Sequence, residues 1–299
     1  MSLPTTAETA YGLDEALPEI DWSIAPEGTR AYRFDAPSGS LAAWDLGDPE
    51  GERVVMVPGI TGSKEDFALL APILASEGYF VQSYDLPGQY ESKDAGPAGA
   101  DGWNYQLFID DMVAFLEAGG TPAHLLGFSF AGIVAQLITV QRPELVRTLT
   151  LLATPPLSGQ VFRGVRSIGW LAPFFNKHFI GGVMIWNVRT NFSKVTPERL
   201  AFANARLDHT RRESVDGIVG LMMKTPKLYQ QLHDSAIPKL VVAGEHDLWR
   251  AKLYRRFAAR IGASVAIYAT GHSPCETTPH QLALDMVQLF RTSEKLSAR

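Results

Sequence analysis

The 299-residue sequence predicts an α/β fold: a mostly parallel sheet with helices on both faces and a mainly helical segment inserted beside it. Three observations carry that expectation. Strand-like and helix-like stretches alternate from residue 54 to 152. The alternation stops over 157–237 and returns from 240 to 290. A serine between small residues occupies one strand-to-helix junction.

Taken in order, 1–30 reads as an irregular N-terminal extension, and 31–35 and 41–44 as short strands about the turn Pro37-Ser38-Gly39. Residues 54–57 form a buried strand, and 66–76 have helical spacing. The strand 80–84 stops at Asp85-Leu86-Pro87-Gly88. A polar loop rich in Gly and Ala covers 89–102, and 105–116 places apolar residues at helical intervals. The apolar run His124-Leu125-Leu126 then enters Gly127-Phe128-Ser129-Phe130-Ala131-Gly132, which opens a second apolar run over 133–140. Strand 145–152 ends at Thr154-Pro155-Pro156, where two prolines stop regular pairing. Beyond 157–237, strands are expected at 240–243 and 265–268 and helices at 253–261 and 281–290. The implied organisation is an extension (1–30), a core (31–156 and 238–299) and a helical cap (157–237).

Composition narrows the function classes. With 46% hydrophobic and 20% charged residues the chain is globular, and a net charge of -5 gives no support to a nucleic-acid partner. No apolar run is long enough to span a membrane, and the first ten residues lack a secretory pattern, so the expected compartment is the cytoplasm. Cys275 is the sole cysteine, which excludes an intrachain disulfide and any cysteine-based metal cluster. The expected partner is a small molecule, acted on by a monomer or homodimer without cofactor or metal.

The chemistry is read from three loops. A side chain on so tight a turn needs neighbours without bulk, which Gly127 and Ala131 provide around Ser129. Gly262-Ala263-Ser264-Val265-Ala266 matches the same spacing, but it leaves a helical stretch and enters a strand, the wrong order for a nucleophile. A serine hydroxyl also needs a base and a group that orients the base. Strand 241–244 runs into Glu245-His246-Asp247, and the next strand runs into Thr270-Gly271-His272. In a parallel sheet both loops reach the same edge as Ser129. Asp247 and His272 are the preferred partners, with Glu245 as the other acid and His246 and His280 as other bases. Helix capping is the alternative role for Ser129, and a small core residue is the ordinary role for Cys275.

Together these features resemble the α/β-hydrolase fold family over roughly 30–295, whose triad follows the order serine, acid, histidine, as Ser129, Asp247 and His272 do. The resemblance extends to Val57-Pro58-Gly59-Ile60, and by that match the amides of Ile60 and Phe130 would form an oxyanion hole. Pro58 stands where the family usually has histidine, Ala131 replaces its second glycine, and Tyr90 replaces a small residue and is expected to narrow the pocket. Phe128, Trp186 and Trp249 are candidate substrate contacts.

The resemblance implies a serine hydrolase that cleaves an ester or thioester through an acyl-enzyme. Serine at the turn argues against the dehalogenases and epoxide hydrolases of the family, which use a carboxylate nucleophile. A carbon–carbon bond hydrolase acting on a carboxylate-bearing diketone, or a ligand-binding member without turnover, are the alternatives.

The 157–237 block holds eleven Lys or Arg against five Asp or Glu in a chain with an acidic remainder. Arg199, Arg206, Arg211, Arg212 and Lys224 either form solvated helix faces or guide an anionic substrate. The apolar stretches 168–175, 179–180 and 183–186 suggest an acyl pocket, or the core that the cap itself needs.

Overall fold

The computed structural model describes residues 3–99, 102–165, 176–190 and 195–297. The chain runs through α1 (Ala7–Glu15), β1 (Arg30–Ala36), β2 (Gly39–Leu46), β3 (Arg53–Val57), α2 (Leu70–Ser76), β4 (Phe80–Tyr84), α3 (Tyr105–Ala118), β5 (Ala123–Phe128), α4 (Phe130–Gln141) and β6 (Val146–Leu152). Then follow α5 (Lys177–Arg189), α6 (Pro197–Asp208), α7 (Arg212–Met222), α8 (Tyr229–Asp234), β7 (Lys239–Gly244), α9 (Ala251–Ile261), β8 (Ser264–Tyr268), α10 (Pro274–Thr277) and α11 (Pro279–Ser297).

The described strands form one eight-stranded sheet in the order β1-β2-β4-β3-β5-β6-β7-β8. β1, β2 and β4 pair antiparallel, and every pairing from β4 through β3 to β8 is parallel. Every residue of β3, β4, β5 and β7 is buried, as it must be in a sheet covered on both faces. One face packs under α3, α4 and α9 through Phe108, Met112, Phe115, Ile133, Tyr254 and Phe257. The other packs under α2 and α11 through Leu70, Ile73, Leu74, Leu282, Met286 and Phe290. This two-sided arrangement aims the carboxyl ends of β3, β5, β7 and β8 at one edge, where the candidate loops lie.

The start of the chain is not irregular. Thr6 caps α1, whose Asp14 accepts hydrogen bonds from the backbone and side chains of both His280 and Gln281 at the start of α11. A carboxylate at a helix N-terminus meets unpaired amides and the positive end of the dipole. Farther along, Leu17, Ile20 and Trp22 pack with Ala68, Leu69 and Phe202, so this segment joins the body to α6.

Between β6 and β7 lie α5 to α8, preceded by a tight turn over Val161–Gly164. Gly159 and Thr225 exchange backbone hydrogen bonds of 2.8 and 3.1 Å that close its neck. The whole apolar stretch 168–175 and the cations Arg166 and Lys194 lie outside the described residues.

Candidate active site

Ser129 joins β5 directly to α4, with φ 51° and ψ -114°. A non-glycine residue with that backbone is strained by about 1–3 kcal/mol and persists only where its surroundings fix it. Here the fixing groups are identifiable. Ser129 N–H donates to Leu152 O at 2.8 Å, and Gly132 N–H donates back to Ser129 O at 3.1 Å. A Cβ on Gly127 would lie 2.5 Å from the Gly132 Cα, and one on Gly132 would lie 1.8 Å from Thr154 Oγ1. The close approach therefore falls on Gly132, and Ala131, the residue in the family's glycine position, is accommodated with its side chain buried. Gly132→Ala is expected to lower stability by about 1–3 kcal/mol, read from the denaturant midpoint, because Thr154 must move in a packed core. An unchanged midpoint would contradict this account of the turn.

The serine side chain makes no capping bond to α4. Instead its Oγ lies 3.3 Å from His272 Nε2, and His272 Nδ1 lies 2.6 Å from Asp247 Oδ1. A carboxylate only accepts, so Nδ1 carries the proton there and Nε2 turns its lone pair toward the hydroxyl. Buried Asp247 is fully engaged: Oδ1 also accepts from Leu248 N–H at 2.5 Å, and Oδ2 accepts from the Tyr254 hydroxyl at 2.7 Å. Burial and the neighbouring carboxylate hold the Tyr254 hydroxyl well above its ordinary pKa, so it stays a donor. Sequence reading missed Tyr254. Its place one turn into α9, on the helix's apolar stripe, is the signal that could have found it.

Burial alone would lower the His272 pKa, but the charge and hydrogen bond of Asp247 outweigh it and raise the imidazole above its ordinary 6.5. Neutral His272 is then lost as pH falls through a value above 6.5.

The other sequence candidates separate cleanly. Glu245 and His246 are exposed, and His280 is occupied with Asp14. Ser264 stands exposed at the first residue of β8. Cys275 is buried, and burial pushes its thiol well above the ordinary value. Phe128 and Trp249 lie against the His272 ring at 5.4 and 6.2 Å between centroids. Trp249 is itself buried and donates from Nε1 to Val161 O at 2.9 Å, tying the inserted segment to the loop that carries Asp247. Trp186 stands apart, on α5 with 56% of its surface exposed.

Gly59 presses on the serine: a Cβ there would lie 3.0 Å from the Ser129 Cβ. Ile60 follows it, and Phe130, as the first residue of α4, has no carbonyl of its own helix to bond. Gln89, another residue missed in the sequence, receives the Thr61 N–H at 2.7 Å and donates to Ser214 Oγ on α7 at 2.9 Å. The Tyr90 ring packs on Phe202 and His209, at 5.8 and 6.5 Å between centroids.

Neither reading of the basic block fits its best-placed arginines. Arg199 and Arg206 are buried and pair with Asp66, and Arg199 also pairs with Glu276. Arg211 donates to the carbonyls of Ala95 and Pro97, and Arg212 pairs with Asp216. The excess positive charge of this segment is thus spent in part on attaching it to the acidic body. Among the described residues no group of three or more His, Cys, Asp and Glu is arranged to hold a metal, and no helix is long and apolar enough to cross a membrane.

The model of an alpha/beta hydrolase family matches residues 54–285. A pimeloyl-[acyl-carrier protein] methyl ester esterase of Neisseria meningitidis serogroup A is 27% identical over 215 residues, 66% of this chain and 62% of that protein. The chain therefore spans less than two thirds of that relative. An enol-lactonase structure from Burkholderia xenovorans superposes with a TM-score of 0.70 at 17% identity, covering 87% of this chain and all of that one. A thioesterase domain from the curacin biosynthetic pathway gives 0.66 at 18% identity, covering 87% and 99%. At these identities the likeness of the two structures is one of fold.

Proposed function

The chain belongs to the alpha/beta hydrolase family, and from that premise we propose that it is a serine hydrolase of esters or thioesters with a hydrophobic acyl group. The observation that carries this reading is the hydrogen-bonded row Asp247, His272, Ser129, with the serine hydroxyl free of any capping duty. Ser129 Oγ attacks the carbonyl while His272 Nε2 takes its proton. The imidazolium, steadied by Asp247, returns that proton to the leaving alcohol or thiol, and water repeats the sequence to release the acid. The amides of Ile60 and Phe130 receive the charge that develops on the carbonyl oxygen. Each such donor is worth about 3–4 kcal/mol of transition-state stabilisation. Residues 157–237 act as the cap over this edge. No cofactor is required by these steps.

Two names among the similar proteins, a methyl ester esterase and a thioesterase domain, agree with carbonyl chemistry of this class. A carbon–carbon hydrolase acting on a carboxylate-bearing diketone would suit free cationic side chains in the inserted block. Burial of Arg199 and Arg206 in ion pairs weakens that alternative.

The test is direct: an alkyl fluorophosphonate is expected to label Ser129, located by peptide mass spectrometry, and a series of p-nitrophenyl esters is expected to show turnover that varies with acyl length. A chain that binds such esters without turnover or labelling would be a ligand-binding member. One that cleaves only a vinylogous diketone would be a carbon–carbon hydrolase. The pH profile adds a further expectation. Since the proton must leave Ser129 for a neutral imidazole, kcat/KM should fall tenfold per unit below an apparent pKa lying above 6.5. An acid limb centred well below 6.5 would contradict the assignment of His272 as base.

A further inference from the structure

Behind the site lies a buried cluster of four ionisable side chains that the chemistry above does not use. Arg199, on α6, forks onto Glu276, with Nε 2.9 Å from Oε2 and Nη2 2.6 Å from Oε1. The same Nη2 lies 2.7 Å from Asp66 Oδ1. Arg206, two turns along α6, reaches that Asp66 oxygen at 2.5 Å and Ser63 Oγ at 3.1 Å. Both arginines keep only 7% of their surface exposed. Two cations and two anions cancel, so removing any one leaves a buried charge uncompensated. The indole of Trp22, from the N-terminal segment, stacks over the Arg199 guanidinium at 4.4 Å and closes the cluster from outside.

What matters is where the two carboxylates sit. Asp66 lies beneath the turn 59–62: its Oδ2 accepts the Ser63 N–H at 3.3 Å and stands 2.5 Å from where a Gly62 Cβ would be. That turn carries Ile60. Glu276 is four residues beyond His272, on α10, whose first turn is tied back to Ser273 O through the Glu276 and Thr277 amides. The oxyanion loop follows β3 and the histidine loop follows β8, strands separated in the sheet by three others. Arg199 touches the carboxylate behind each of them and belongs to neither.

We propose that Arg199 is a positioning residue: by bridging Asp66 and Glu276 it sets the oxyanion loop against the histidine loop, so the inserted segment completes the site through ion pairs and not through contact with the substrate. This inference rests on the reaction proposed above. Catalytic groups act over tenths of an ångström, and a displacement near 1 Å costs about a hundredfold in rate. Cap and catalysis are then coupled through one guanidinium.

The experiment compares Arg199→Met, Arg199→Lys and Arg212→Met with the parent chain. Arg212 pairs with Asp216 and the His178 carbonyl, all within the inserted segment, so it controls for loosening of that segment alone. With a p-nitrophenyl ester, Arg199→Met should lower kcat about 10- to 100-fold with KM within about threefold. Arg199→Lys, which keeps the charge but not the fork, should fall between. Arg212→Met should stay within twofold, and the rate of fluorophosphonate capture should follow the same order. The role is refuted if Arg199→Met keeps kcat within twofold, if only KM changes, or if Arg212→Met loses as much kcat at matched Tm. Should Arg199→Met fail to fold, an unchanged kcat in Arg199→Lys refutes it equally. A parent chain inert to both ester and phosphonate overturns the proposed reaction itself. A reactive parent with unaltered Arg199 variants overturns only the positioning role.

Discussion

Ser129→Ala is expected to lower kcat for any ester that the parent chain cleaves by a factor on the order of 10⁶, and to abolish labelling by a fluorophosphonate. The loss is large because base, orienter and nucleophile act as a unit, and without an oxygen to deprotonate the imidazole has no task. Stability should hardly change. The hydroxyl caps nothing in α4, and alanine has the same backbone cost at φ 51° as serine. The measurement is thus a paired one: turnover under single-turnover conditions alongside the thermal midpoint. Retention of kcat within tenfold would remove Ser129 from the reaction, whatever its distance from His272.

Asp247→Asn is the next largest expected effect, about 10⁴-fold in kcat. The carboxylate accepts from two directions, His272 Nδ1 on Oδ1 and the Tyr254 hydroxyl on Oδ2, while an amide offers one acceptor and one donor. If the amide nitrogen faces His272, Nδ1 becomes the acceptor, the proton moves to Nε2, and no lone pair addresses Ser129. If it faces Tyr254, the tautomer survives but the charge that steadies the imidazolium is gone. Either way the acid limb of kcat/KM should shift to lower pH, since Asp247 is what raises His272. A variant within tenfold of the parent, with its acid limb unmoved, would show that the histidine is oriented by something else. Tyr254→Phe, which leaves the charge and the Asp247–His272 bond in place, should cost far less.

Much of this fold can be read from periodicity. The buried strand 54–57 is a continuous apolar run, and 80–84 sets Phe80, Val81 and Tyr84 around the polar pair Gln82-Ser83; their edges coincide with β3 and β4 within a residue, because turn chemistry on either side is local. The N-terminal segment shows the opposite case. Its α1 has little apolar character and is ordered by Asp14 meeting the amides of α11, a contact between residues more than 260 positions apart that no local pattern encodes. The elbow lies between these extremes. Its spacing identifies Ser129 and the tight Gly127, but Gly132, outside that spacing, must also be glycine for want of space, and only the loop after β6, through Thr154, makes it so.

The sequence by itself determined the order of elements, the serine on its turn, and an acid and a histidine at the ends of the last two strands. Each of these is written in local period and turn residues. Only the tertiary structure decided which acid and which histidine meet the serine, by burying Asp247 beside Tyr254 while leaving Glu245 and His246 exposed. It also decided the fate of the basic block. A count of charges cannot distinguish an arginine in water from one buried against a carboxylate more than a hundred residues away, and Arg199 and Arg206 are of the second kind. Burial is a property of the folded chain as a whole, and it turned a surface-like composition into the ion pairs that fasten one part of the protein to another.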